Sequence, residues 1–237
     1  MRLANNANSN NKKASMYHMG KIVFNPGCAL SIYKPDMEHR ILDFLQRHYH
    51  AELVMHNICC RHDPQLEKGT CIINVCAGCD RRFRTLYEGI TTVSLWEILD
   101  QMDGLDYPDY QGAVMSIHDP CPIRQKPQVH HAVRSLLKKM RINLIEAPHA
   151  GEKSICCGDN FYPKLPVSKV NQLMKKRANE MPCSDVVVYC VSCIKSMHIG
   201  GKKPHHLLDL LVGEDTQAQI YETKAWHDAL DVYIAEH

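Results

Sequence analysis

Two adjacent cysteines followed at once by glycine, Cys156, Cys157 and Gly158 in the stretch "SICCGDN", raise the question of what needs neighbouring thiols. Consecutive side chains of an extended chain point to opposite faces, so both reach one object only where the backbone turns sharply. Gly158 can supply that turn, because glycine tolerates positive φ. Taken alone, a half-buried pair behaving as small hydrophobes is the plainer reading. The other cysteines change that. Cys190 and Cys193 form a CxxC in "VVVYCVSCIKS", and Cys121 lies upstream in "SIHDPCPIR". An earlier set repeats the order: Cys28 in "VFNPGCALS", the pair Cys59 and Cys60 in "HNICCRHD", and the CxxC of Cys76 and Cys79 in "IINVCAGCD". As spacings these are C-x30-CC-x15-CxxC and then C-x34-CC-x32-CxxC.

Five thiolates suit few objects. Structural zinc is satisfied by four tetrahedral ligands. A cubane iron–sulfur cluster also takes four, commonly from compact runs, and neither half contains such a run. Iron and sulfide in an unusual cluster are the natural candidate, because thiolate is the soft ligand such clusters prefer.

Composition sets the compartment. At 237 residues and 45% hydrophobic the chain can bury a core without disulfides, unlike a small secreted scaffold. "MRLANNANSNNKKASMYH" has no apolar stretch fit for a signal peptide, and no run of about 20 apolar residues predicts a membrane span. These features predict a reduced, cytoplasmic setting, where clustered cysteines hold metal more often than they pair. A net charge of +2 with scattered Lys and Arg gives no nucleic-acid signal, and the short patch "CDRRFR" reads as a solvated face.

The repeat extends to the elements that must position the cysteines. Each half opens with a short apolar run, "KIVFN" and "AVMSIH", read as a buried strand delivering its first cysteine. A helix follows in each, "MEHRILDFLQRHYH" with Ile41, Leu45 and His48 on one face, and "QVHHAVRSLLKKM" with Val129, Val133, Leu136, Leu137 and Met140. Second strands, "AELVMH" and "INLIEA", precede the pairs, and third strands, "CIINV" and "DVVVYC", run into the CxxC motifs. This alternation predicts an α/β fold of two pseudo-symmetric Rossmann-like halves with mainly parallel sheets and metal sites in loops at the strand carboxyl ends. The expected organisation is a disordered tail at 1–19, halves at 20–113 and 114–212, and a C-terminal helix at 213–237 that Ile220, Tyr221, Trp226 and Leu230 could lay on the core or a partner. The halves differ in one place. Equivalent first cysteines and pairs are offset by 93 and 97, but the CxxC motifs by 114. The additional 17 residues read as one helix, "PVSKVNQLMKKRANEM" with Val167, Val170, Leu173 and Met174 on one face.

On these motifs the chain resembles the cysteine-rich CCG family, found twice in the catalytic B subunit of heterodisulfide reductase and in related dehydrogenase and lactate-utilisation proteins. The resemblance covers roughly residues 20 to 212, and "HDPCPIR", "CCGDN", "YCVSC" and "HHLLDLL" all fit the second copy. It implies a noncubane four-iron four-sulfur cluster held by Cys121, Cys156, Cys157, Cys190 and Cys193, and another by Cys28, Cys59, Cys60, Cys76 and Cys79. It also implies reductive cleavage of a small disulfide, with electrons from a partner subunit carrying a flavin or ordinary iron–sulfur clusters. The first copy departs from the pattern: Arg61 stands where glycine should follow the pair, and its second gap is short. Zinc held by four of those five cysteines is therefore a rival there. An electron-transfer subunit of a dehydrogenase complex and a zinc-binding structural or regulatory module stay open as alternatives.

A proton donor is expected near the cysteines, and His118, Asp119 and His149 are near in sequence. With 15 histidines in the chain, a surface or capping role is the plainer reading for each. Cys71 and Cys183 lie outside the pattern and read as small buried side chains of the third strands.

Overall fold

A computed structural model describes residues 21–49, 53–218 and 222–237. The tail expected at 1–19, and Ile220 and Tyr221 of the expected C-terminal face, lie outside the described residues. The chain divides into two compact units. One runs to Leu105 and takes in Ala229–His237, and the other is Asp106–Asp228.

In the first half the elements are β1 (Ile22–Asn25), α1 (Cys28–Tyr33), α2 (Pro35–Tyr49), β2 (Val54–Met55), β3 (Cys71–Asn74), α3 (Ala77–Leu86), β4 (Thr91–Ser94) and α4 (Leu95–Gln101). In the second they are β5 (Val114–His118), α5 (Pro127–Lys139), β6 (Asn143–Glu146), α6 (Val167–Ala178), β7 (Asp185–Val188), α7 (Val191–Ile199), β8 (Lys203–His206), α8 (Leu207–Val212) and α9 (Thr223–Glu236). The strands form two four-stranded sheets ordered β2-β1-β3-β4 and β6-β5-β7-β8. Every pairing is parallel, so this is an α/β fold with two similar halves. The helices expected at 37–50, 128–140 and 166–181 correspond to α2, α5 and α6.

Each sheet carries a fourth strand that its residues conceal. "TTVS" is polar and "KPHH" contains a proline, yet Asp185↔Lys203 through Val188↔His206 pair in register. Pro204 is tolerated because β8 is an edge strand with a partner on one side only. The family-like "HHLLDLL" is thus the end of a strand turning into α8. Its counterpart at β4–α4 turns on Ser94, whose hydroxyl and Glu97 form a reciprocal cap over the first turn of α4.

Burial follows the helical spacing. Val129, Val133, Leu136, Leu137 and Met140 are all at most 1% exposed, as are the strand residues Ile117 and Val186–Val188 of the same half. At about 1.5–3 kcal/mol per fully buried aliphatic side chain, this face holds α5 in place. In α6, Val170 and Met174 are sealed while Val167 and Leu173 are half-buried. The first half builds its cluster from Val23, Ile72, Phe83 and Ile90 together with Cys60 and Cys79. Cys71 is a buried residue of β3, as expected. Cys183 differs: it is half-buried and precedes β7, where its amide donates to Ser116 Oγ at 2.8 Å.

The C-terminal helix begins later than expected, at Thr223. In the second half it is anchored by Trp226, 1% exposed, whose indole Nε1 donates to Ser192 Oγ at 3.0 Å. Trp226→Ala should cost the second half about 3–5 kcal/mol, measured by chemical denaturation; a loss under about 1 kcal/mol would mean the helix is not held there.

Candidate metal centres

In parallel sheets all carboxyl ends lie along one edge, and a site forms where neighbouring strands send their connections to opposite sides. Both sheets place their second strand on one side of the first and their third on the other. The cysteines follow the ends of these three strands in each half. Cys28 opens α1 and Cys121 opens a single 3₁₀ turn, Cys121–Ile123. Each CxxC straddles a helix start: Cys76 and Cys190 are the N-caps of α3 and α7, and Cys79 and Cys193 lie in their first turns. The free N–H groups and dipole of such a terminus favour thiolate. Burial pushes the Cys76 thiol up, but a hydrogen bond from Cys79 and the Gly78 and Cys79 amides outweigh it, leaving a pKa of about 7.

The five thiols of each half are in contact in one order. In the first half Cys28 bonds Cys59, Cys59 bonds Cys60, Cys60 bonds Cys79 and Cys79 bonds Cys76. In the second Cys121 bonds Cys156, Cys156 bonds Cys157, Cys157 bonds Cys193 and Cys193 bonds Cys190. Cys157 and Cys193 sulfurs are 3.7 Å apart. All twelve cysteines of the chain are free thiols. The first cysteine of each adjacent pair carries the easiest proton to lose. Hydrogen bonds from Cys28 and Cys60 hold Cys59 down to about 2, and those from Cys121 and Cys157 do the same for Cys156. The bonds to these two sulfurs push Cys28, Cys60, Cys121 and Cys157 up, and bonds to Cys60 and Cys76 raise Cys79 as those to Cys157 and Cys190 raise Cys193.

The turn at the second pair is made by Gly158, at φ +107°. A Cβ there would sit 2.9 Å from Met174 N in α6, so glycine is required both by conformation and by the close approach of that helix. The first half has no helix at this place and no such requirement. Arg61 is not among the positive-φ residues and its side chain is 56% exposed beside Asp231. A different glycine is needed in the first half: Gly27, at φ +79°, would put a Cβ 2.8 Å from Cys76 Cβ. Pro120 takes that place in the second half at an ordinary φ of −71°.

The residue three places after each CxxC holds the pair. Arg82 Nε donates to Cys60 O at 2.9 Å, and Ser196 Oγ reaches Cys157 Sγ at 3.2 Å. Lys195, fully buried, pairs with Asp159 of the CCGD turn, and His227 of α9 bonds the same carboxylate at 2.9 Å. In the first half the Cys59 amide donates to His237 O at 3.0 Å. Beside the first set lies a shallow open pocket bordered by Cys28, Cys59, Ser31, His56 and Tyr233.

The three histidine and aspartate candidates have different surroundings. Asp119 is fully buried and accepts from Arg134 twice, from Tyr189 and from the Gly151 amide, with His130 Nδ1 at 3.3 Å. Burial pushes its pKa up, but the hydrogen bonds from His130 and Arg134 prevail and hold it well below the usual carboxylate range. It is an anchor joining the loops after β5 and β6 to the end of β7. His149 is half-exposed and bonds Glu180 at 3.0 Å. His118 is sealed, and burial with the nearby Arg177 lowers its pKa to about 4. Among the described residues, His118, Cys157 and Cys193 are the one group of three ligand-bearing side chains whose donor atoms lie within 4.8 Å of one another.

Residues 115–198 match the family model described as the CCG cysteine-rich domain. The match runs from β5 into α7 and contains the whole second set of five cysteines. No curated protein matches the chain. No helix of the described residues is long and apolar enough to cross a membrane.

Two tests follow from the local geometry. Gly158→Ala should destabilise the second half by about 1–3 kcal/mol, whereas Arg61→Ala should stay within about 0.5 kcal/mol in the same denaturation assay; equal losses would contradict the role given to α6. Asp119→Asn should cost about 3–5 kcal/mol, the range for breaking a buried ion pair. Because the folded pKa of Asp119 is depressed, its contribution is present above the unfolded value of about 3.9 and is lost as pH falls below it. The gap between wild type and Asp119→Asn should therefore narrow in acid, and a gap independent of pH would refute the assignment.

Proposed function

We propose that the protein is an iron–sulfur redox protein similar to the catalytic subunit of heterodisulfide reductase, with a noncubane four-iron four-sulfur cluster in each five-cysteine site. The observation that carries this reading is the repeated order of contact among five thiols in each half. The donor set fits the group, since thiolates are what such clusters require. A lone zinc fits less well. Its four ligands must converge on one point, and among the described residues no three sulfurs of one set lie within 4.8 Å of one another.

When bound, such a cluster supplies single electrons at a potential set by its surroundings. The chain's own residues supply the rest. The helix start at Cys76 favours negative charge on its sulfur, and Arg82 and Ser196 fix the adjacent pairs. Cys59, Cys60, Cys79, Cys157 and Cys193 are buried and keep water from the sulfurs, while Cys28, Cys76, Cys121, Cys156 and Cys190 are half-buried and mark the approachable side. The shallow pocket beside Cys28 and Cys59 marks the surface at which a small disulfide would approach the first site. Electrons would come from a partner protein with a flavin or ordinary iron–sulfur clusters. A second reading, an electron-relay subunit, is favoured by the sealed inner sulfurs of both sites, Cys59, Cys60 and Cys79 at 5%, 7% and 3% exposure and Cys157 and Cys193 at 6% and 3%.

The test is the content of iron, acid-labile sulfide and zinc per chain after anaerobic purification. About eight irons with matching sulfide are expected, as two four-iron clusters require, falling to about four in Cys157→Ser and in Cys60→Ser. Zinc without iron would overturn the redox reading. Oxidation of the dithionite-reduced protein by a small disulfide then separates reductase from relay, which would react only with a protein partner.

A further inference from the structure

His118 ends β5, three residues before Cys121, and is 0% exposed. One of its ring nitrogens lies within 4.8 Å of Cys157 Sγ and Cys193 Sγ. The two nitrogens are not equivalent. Arg177 Nε lies 3.2 Å from His118 Nδ1 and is the donor in that bond. A guanidinium N–H can only donate, so Nδ1 must present its lone pair. The neutral ring therefore carries its proton on Nε2, which has no hydrogen-bond partner among the described residues.

Arg177 is itself held firmly. It is 1% exposed, its Nη1 bonds Glu180 Oε2, and its Nη2 donates to His149 O at 2.7 Å. The guanidinium thus cannot turn away and release the imidazole to its other tautomer. A metal ligand needs the opposite arrangement, with the lone pair on the nitrogen that faces the metal and the proton on the other.

We infer that His118, fixed in that tautomer by Arg177 and within reach of the Cys157 and Cys193 sulfurs, donates from Nε2 to the sulfurs of the second site once a cluster is held there, and that it is a positioning residue which raises the electron affinity of that cluster. An N–H that reaches a cluster sulfur stabilises the added negative charge of the reduced state, and such hydrogen bonds are one of the levers that set iron–sulfur potentials. The effect on potential rests on the iron–sulfur reading above; the tautomer does not.

The device belongs to the second half alone. The equivalent residue of the first half is Asn25, three before Cys28. Its amide Nδ2 donates to His56 O at 3.0 Å, and its Oδ1, an acceptor, is the atom left without a partner among the described residues. Arg177 lies on α6, the helix that the first half lacks. The 17 additional residues of the second copy thus bring with them the group that orients His118.

The first measurement is the ¹⁵N spectrum of the histidine rings in the full-length chain, purified anaerobically and recorded before and after iron chelation, with His118 assigned from its loss in His118→Gln. A proton on Nε2 and none on Nδ1 is expected in both states, and Arg177→Met should give a mixture of tautomers. A proton on Nδ1, or a metal-shifted Nε2, would overturn the inference whether or not iron is present. The second measurement is the midpoint potential of the cluster, titrated with electron paramagnetic resonance as the readout. His118→Leu should bind the electron about tenfold less tightly, about 59 mV lower for a one-electron couple, with iron content unchanged. His118→Gln, which keeps an N–H donor, should recover part of the shift, and Arg177→Met should fall between. An unchanged potential in His118→Leu would refute the donor role, and equal loss of iron in the Leu and Gln variants would show coordination instead. A chain that holds only zinc would defeat the iron–sulfur reading while the ring spectra still decide the tautomer.

Discussion

Ten thiols packed into two groups of five impose the constraint on which the rest of the fold depends. Neighbouring thiolates repel, and burial penalises each charge further. Without a cation, each group resolves this by ionising the first cysteine of its adjacent pair most readily, with the surrounding thiols donating to it. Such an arrangement is held only if the backbone over-determines it. Three parallel strands deliver the sulfurs to one edge, two helix termini receive the CxxC motifs, and Arg82 and Ser196 clamp the pairs. Metal cations would neutralise the crowded charge outright, which is why thiols brought together this way read as a binding site rather than as core.

The sequence makes much of this legible because its strongest signals coincide with its most constrained positions. Apolar runs such as "IVFN" and "VVVY" have nowhere to go but a doubly covered sheet, and the cysteines sit at their ends. What stays hidden is polar or short. β4 and β8 carry Thr, Ser, Lys and His, so neither shows an apolar run. The helices that follow the CxxC motifs are concealed by the motifs themselves, since "CAGCDRR" gives no apolar stripe in its first turn. The Asp119 anchor and the Lys195–Asp159–His227 group join residues far apart in sequence. No local pattern announces a pair 68 positions apart such as Asp159 and His227.

The two halves also show how one scaffold accepts unequal detail. Gly158 and Arg61 occupy the same step of the repeat, and on sequence alone the difference reads as decay of a motif. The structure gives it a steric reason. Glycine is demanded where Met174 of α6 presses on the turn, and where no helix presses, an arginine at ordinary φ is acceptable. The glycine after the pair therefore reports the presence of the helix rather than the competence of the thiols.

The repeated strand order, β2-β1-β3-β4 and β6-β5-β7-β8, has a historical consequence. Each half has its own sheet and its own five thiols, so an ancestral segment of about half this length would already have contained every part a site needs. Duplication of that segment would leave the copies free to diverge, and the connection between the adjacent pair and the CxxC carries α6 in one half and no helix in the other while the strand order is the same in both. Such a fold accepts a change of length where a loop joins finished parts, and the two copies can differ there while keeping one plan.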